Sequence, residues 1–218
     1  MRERGRSWRA LGFRCNPFRA LDPDEWGRLA VLIPALQEAL PGAAHLQVRG
    51  ARGSGKTSAL LGLQARFEAQ GLRTAYERIP EHGFTFHTAA QNLDVLLIDE
   101  AQRLWPPAWL RLLAAGRRVR LALGSHANHA WSFRLAGQPL VSVDLDALDQ
   151  GHFRAALAAR LEHFALGDRP HVTIAPAAFD ALWARCGRDL RAAEEVLYGV
   201  FLRLEGLGEV GPAHLEDA

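Results

Sequence analysis

Apolar positions fall into two regimes along this chain. Up to about residue 148 they form short continuous runs separated by polar, Gly- and Pro-containing stretches; beyond it they recur at helical spacing. The clearest run is Asp94-Val95-Leu96-Leu97-Ile98-Asp99-Glu100, in which four apolar positions are bounded by carboxylates. A run of this length without alternation suits a strand covered on both faces, as in a parallel sheet. Similar short runs occupy His45–Arg49, Arg73–Ile79, Val119–Leu123 and Leu140–Leu145. Residues 58–71 instead show apolar residues at helical spacing, and Gly71 supplies a stop. The pattern predicts an α/β domain with five parallel strands and helices on both faces.

From Asp149 the spacing is helical in three blocks. Residues 151–166 form the first, and Gly167-Asp168-Arg169-Pro170 breaks it. His171–Ile174 reads as short and extended, Pro176 opens a second helix that Gly187 stops, and Asp189–Gly206 forms the third. The shift near residue 148 predicts an α/β domain over 1–148 and a small helical domain over 149–218. The tail from Gly208 to Ala218 is expected to carry no regular structure.

Composition narrows the setting. The 218 residues carry a net charge of +2, too small to argue for nucleic acid on its own. No apolar run approaches the ~20 residues of a membrane span, and the basic N-terminus lacks the apolar stretch of a secretory signal. Cys15 and Cys186 are far apart with no partner motif, which suits free thiols in a reducing compartment and predicts a cytoplasmic location. Nearly all basic residues are arginine, and the only lysine is Lys56. Codon bias can remove lysines, but the place of the one retained suggests that it needs an ammonium.

Lys56 lies in Gly50-Ala51-Arg52-Gly53-Ser54-Gly55-Lys56-Thr57-Ser58, which satisfies G-x-x-x-x-G-K-[ST]. A predicted strand precedes it and a predicted helix follows. The glycines let backbone N–H groups close around phosphate oxygens, and the helix start adds its positive dipole end. Lys56 is expected to reach the β- and γ-phosphates of ATP and Thr57 to ligate Mg²⁺. At the end of the acidic strand, Asp99 can hold Mg²⁺ and Glu100 can polarise the attacking water. A strand between the two motifs in sequence, at residues 73–79, points to the additional-strand, glutamate-using branch of P-loop proteins.

These segments resemble the AAA+ ATPases, in particular the compact group of ExeA-type secretion ATPases, TniB/TnsC-type transposition ATPases and origin initiators. The resemblance covers most of the chain. Asn16-Pro17-Phe18-Arg19-Ala20-Leu21 is similar to that group's "PF" segment and implies that Pro17 and Phe18 lie near the adenine; simple core packing is the alternative for Phe18. Asp99-Glu100-Ala101-Gln102-Arg103-Leu104 resembles the "DEAQRL" form of the acid motif. Ser125 takes the sensor 1 position after the next strand, with His126 as fallback. Gly187-Arg188-Asp189-Leu190-Arg191 resembles the lid motif and gives Arg191 the sensor 2 role at the γ-phosphate. The fold implied is a P-loop NTPase of AAA+ type with a C-terminal helical lid.

Many AAA+ proteins complete their sites between subunits, so a homo-oligomer, ring or filament, is implied when ATP is bound. Arg134 is the candidate arginine finger, ahead of Arg117, Arg118 and Arg120. Those three and the arginines near the N-terminus could instead meet DNA phosphates or form a solvated face. No helix-turn-helix pattern follows the lid, which departs from origin initiators. Histidines 82, 87, 126 and 129 lack the spacing and the cysteines of a zinc site. Trp105-Pro106-Pro107-Ala108-Trp109 reads either as an interaction loop or as a cap on the sheet. Three functions remain: an ATPase that remodels duplex DNA or a protein partner, an ATP-gated adaptor with little turnover, and a phosphotransferase acting on a small molecule.

Overall fold

A computed structural model describes residues 8–145 and 149–216. The boundary at 148 and the arginines of the first seven residues lie outside the described residues. The chain forms two compact units, residues 23–145 and residues 8–22 with 149–216. The N-terminal segment therefore groups with the helical unit, whereas the hydrophobic pattern had attached it to the sheet.

The first unit holds five parallel strands: β1 (His45–Arg49), β2 (Thr74–Arg78), β3 (Val95–Asp99), β4 (Arg120–Ser125) and β5 (Leu140–Asp144), in the order β2-β3-β4-β1-β5. All five match the expected runs. In space it is β4 that separates β1 from β3; the strand between the two motifs in sequence, β2, is at the sheet edge. Register places Arg49 opposite Ser125 and Arg78 opposite Asp99, so the phosphate loop, the acidic pair and the end of β4 share the carboxyl edge of the sheet. Open α/β sheets bind ligands at that edge.

Six helices accompany these strands in the unit or lead out of it: α1 (Pro23–Leu29), α2 (Pro34–Ala39), α3 (Lys56–Ala69), α4 (Pro106–Ala115), α5 (Ala130–Leu135) and, opening the second unit, α6 (Gln150–Phe164). Alternate residues of each strand serve opposite faces. Leu96, Ile98, Leu121 and Leu123 pack with Leu112 of α4 and Phe133 of α5. The other face carries the small residue Gly124 of β4 under Leu60 of α3. α1 crosses α3 at Gly27 and Gly62, whose missing side chains admit Ala65 and Ala30 respectively. The β2–β3 crossover has no helix among its described residues. Glu77 holds it instead, its carboxylate accepting from His87 N (2.8 Å) and Thr88 N (2.8 Å).

Arg120, one of the residues considered for phosphate contact, is used internally. Its guanidinium donates to Ala39 O, Leu40 O and Ala44 O at 2.6–2.8 Å, satisfying carbonyls at and beyond the end of α2. Within the Trp105–Trp109 segment, Trp105 is exposed and Trp109 packs on His129 and Phe133.

In the second unit, α6, α7 (Pro176–Cys186) and α8 (Leu190–Arg203) surround Phe13, Phe153 and Phe201. Asp149 and Asp189 cap α6 and α8, accepting from His152 N and Ala192 N. The tail corrects the expectation of no regular structure. β7 (Gly208–Val210) pairs in parallel with β6 (Val172–Ile174), and α9 (Ala213–Glu216) buries Leu215. A three-residue strand such as β7 gives little periodic signal, and the pairing with β6, whose segment already reads as extended, reveals it.

Candidate nucleotide site

Helix α3 begins directly at Lys56, after a loop with Gly53 at φ +84° and Gly55 at φ +90°. Side chains rarely adopt these values, which explains the glycines. The Lys56 ammonium is nearly buried and donates to Gly50 O (2.9 Å) and Ala51 O (2.7 Å), across the loop. Ser54 closes the turn by donating to Ala51 O, while Ala51 and Arg52 are exposed at its tip and Ser58 lies in the first turn of α3.

One residue into α3, the Thr57 hydroxyl donates to Asp99 Oδ2 at 2.6 Å. Asp99 is fully buried, and its carboxylate has two further donors: Tyr76 hydroxyl to Oδ2 (3.0 Å) and Glu100 N to Oδ1 (2.9 Å). Burial first, then the Asp99 charge, push the Tyr76 phenol upward, so it stays protonated and donates. No group of three or more His, Cys, Asp or Glu side chains among the described residues could hold a metal. A hydroxyl and one carboxylate beside a phosphate loop instead suit Mg²⁺ that takes its other ligands from water and phosphate.

Glu100 is the only described non-glycine residue with positive φ, at +59°. This left-handed step ends β3 and costs of order 1 kcal/mol, a strain that concentrates at functional sites. Its carboxylate is mostly buried and accepts from Gln102 Nε2 at 2.6 Å; Arg103 stands 3.5 Å away and His126 Nε2 3.9 Å away.

The sensor candidates separate. Ser125 is fully buried; its hydroxyl accepts from Ala127 N and contacts His129 Nε2 at 2.8 Å. His126, the fallback, is the one beside Glu100. Gln47 braces this turn from β1, donating to Ala127 O (2.6 Å) and accepting from His129 N. Arg134 is exposed on α5. Arg191 is exposed in the first turn of α8, in the other unit. Pro17 and Phe18 are also in that unit. Phe18 is buried edge-on to Phe201 (5.2 Å), and Arg160 donates to Pro17 O (2.9 Å), so the Phe18 ring serves that unit's core. Nothing in the sequence marks Tyr76, Gln47, Gln102, Arg103 or His129 for these contacts. A tyrosine or glutamine within a strand carries no signal of its partner, and the acid motif that contains Gln102 and Arg103 assigns them no role.

Burial lowers the His129 imidazole to about 4, from an ordinary 6.5. The folded chain thus keeps it neutral while the unfolded chain takes up a proton below about 6.5. Stability is therefore expected to fall as pH drops from about 6.5 to about 4 and to level off below. Partial exposure screens the effect to on the order of 1 kcal/mol. Denaturant melts at several pH values, on the chain and on His129→Gln, check this: the difference between the two should shrink as pH falls through that window.

No protein-family model and no curated protein matches the chain. Solved structures do. Domain III of the Thermotoga maritima replication initiation protein DnaA superposes with a TM-score of 0.58 at 17% identity, covering 90% of this chain and 96% of that one. AMPPCP-bound DnaA from Aquifex aeolicus gives 0.53 at 19% identity, covering 85% of this chain. NtrX from Brucella abortus in complex with ADP gives 0.53 at 13%, covering 88% of this chain and 57% of that one. The alignment with the Aquifex protein spans 64% of its length. These likenesses show the fold alone: an α/β domain built on a five-stranded parallel sheet.

Proposed function

We propose that the chain binds ATP with Mg²⁺ at the phosphate loop and hydrolyses it as a nucleotide-driven switch or remodeller. The observation that carries this is the convergence of Thr57, Asp99 and Glu100 at the carboxyl edge of the sheet, beside a loop already shaped for phosphate. Thr57 and Asp99 would hold Mg²⁺, which when bound neutralises charge on the β- and γ-phosphate oxygens. Lys56 exchanges its loop carbonyls for those oxygens. Glu100 orients water and accepts its proton as the oxygen–phosphorus bond forms and the bond to the ADP oxygen breaks. The AMPPCP and ADP held by the structural neighbours agree with this reading.

A second reading, the ATP-gated adaptor with little turnover, has its own support. Gln102 occupies the Glu100 carboxylate and Arg103 lies close by, an arrangement that can hold the base in reserve.

In the proposed assembly, copies of this chain meet so that Arg134 completes a neighbour's site, and the partner remodelled is duplex DNA or a protein. Arg134 is exposed on α5 with Trp131 (70% exposed) and Leu135 (67%), an apolar surround suited to an interface. The test is steady-state ATPase across protein concentrations, with and without duplex DNA. Rate per chain should climb with concentration, and Arg134→Ala should lower it by about 10³-fold. Mixing Arg134→Ala with Glu100→Gln chains should restore activity, because one mixed interface carries both intact groups. A rate independent of concentration together with an inert mixture refutes the shared site.

A further inference from the structure

The helix-free β2–β3 crossover leaves a groove of about 680 Å³ between itself and the C-terminal half of α4. That volume lies within the range of small-molecule sites, roughly 300–1,000 Å³. The groove lies away from the nucleotide site. Leu93 and Val119 on its wall precede β3 and β4, so they mark the amino edge of the sheet, whereas Lys56, Asp99 and Glu100 stand at its carboxyl edge. Five-residue strands separate those edges by roughly 16 Å.

Its chemistry is one-sided. Arg111, Arg117, Arg118 and His87 line it, and no carboxylate does. The nearby Glu77 carboxylate is engaged with His87 N and Thr88 N. Arg111 is fixed: its guanidinium lies 4.1 Å from the Phe86 ring centroid and donates to Thr85 Oγ1 and Phe86 O. Arg117 and Arg118 are exposed, and among the described residues their side chains make no hydrogen bond or ion pair. The accessible apolar part of the wall comes from Ala90, Leu93, Ala114 and Ala115, while Phe86 and Val119 lie buried behind it. A preset guanidinium, two exposed ones without a side-chain partner among the described residues and an apolar strip match a doubly charged anion on an apolar body.

We propose that this groove binds a small phosphomonoester with an apolar or aromatic body, independently of the phosphate loop. Arg117 and Arg118 grip the phosphate, Arg111 orients it, and the body lies along Leu93, Ala90 and Ala114.

The test uses 1-naphthyl phosphate as probe, in calorimetric titration in phosphate-free buffer. It is run on the chain, on Lys56→Ala and on Arg117→Gln/Arg118→Gln. Saturable binding at one site is expected, retained in Lys56→Ala and weakened about tenfold or more by the double variant. Uncharged 1-naphthol should not compete. Absent binding, or binding indifferent to the double variant, overturns the proposal. Loss in Lys56→Ala does so too, since the probe then sits in the phosphate loop. If a short single-stranded oligonucleotide displaces the probe about a hundredfold more tightly through the same arginines, the groove is a nucleic-acid track, and the small-ligand proposal fails. Affinity of the double variant for a fluorescent ATP analogue should match the parent chain, which separates this result from any failure at the nucleotide site.

Discussion

Glu100→Gln is expected to lower ATP turnover by about 10²–10⁴-fold while nucleotide still binds. The substitution keeps size and shape, so the left-handed turn after β3 and the bond from Glu100 N to Asp99 Oδ1 survive. Gln102 can still donate to the new side-chain oxygen. What is lost is the negative charge that polarises water and accepts its proton. Thr57, Asp99 and the phosphate loop are untouched, so affinity for ATP should change little. Single-turnover hydrolysis and titration with a fluorescent ATP analogue measure the two quantities separately. Turnover surviving within a few-fold of the parent would remove Glu100 from the chemistry. Turnover near background already in the parent would instead favour the adaptor reading, with Glu100 held in reserve by Gln102 and Arg103.

The second large effect comes from a position with no polar atoms in its side chain. Gly124→Ala should cut Mg²⁺-dependent turnover by about 10²-fold and destabilise the fold by about 1–3 kcal/mol. A Cβ at Gly124 would stand 2.5 Å from Asp99 Oδ1 and 2.8 Å from Leu60 Cδ1. The leucine methyl can rotate away. The carboxylate cannot do so cheaply, because Thr57, Tyr76 and Glu100 N hold it from three sides. Relieving the clash therefore breaks at least one bond to a buried charge or pushes β3 from β4. Gly42→Ala is the control, since its Cβ would meet only Ala39 O at an ordinary 3.5 Å. ATPase titrated against Mg²⁺, beside thermal melts, reads both effects. Full turnover in Gly124→Ala would mean that the Asp99 carboxylate is not the group that positions the metal.

Much of this site was legible in the chain. The spacing of Gly50, Gly53, Gly55, Lys56 and Thr57 is itself the loop, because local backbone freedom and a helix start suffice to build a phosphate cradle. The apolar run before Asp99 set β3 as a covered strand ending in acid, and the other four strands followed from their own short runs. Such features are local, so a contiguous stretch of sequence determines them.

What remained was decided by non-local packing. Which strand stands between β1 and β3 depends on how crossovers pass over the sheet, and β4 took that place although β2 lies between the motifs in the chain. That order puts Gly124 against Asp99, and thereby fixes a glycine that no turn or positive φ requires. Tyr76 reaches Asp99 across a strand pairing, and Gln47 reaches the turn after β4 across another. The PF segment packs with the helices after residue 148 because Arg160 and Phe201 meet it there, more than 140 positions downstream. The strand at 208–210 exists only through its partner at 172–174. Each of these rests on side chains or backbones distant in sequence satisfying one another's hydrogen bonds and apolar surface, and that information resides in the pairing, not in either segment alone.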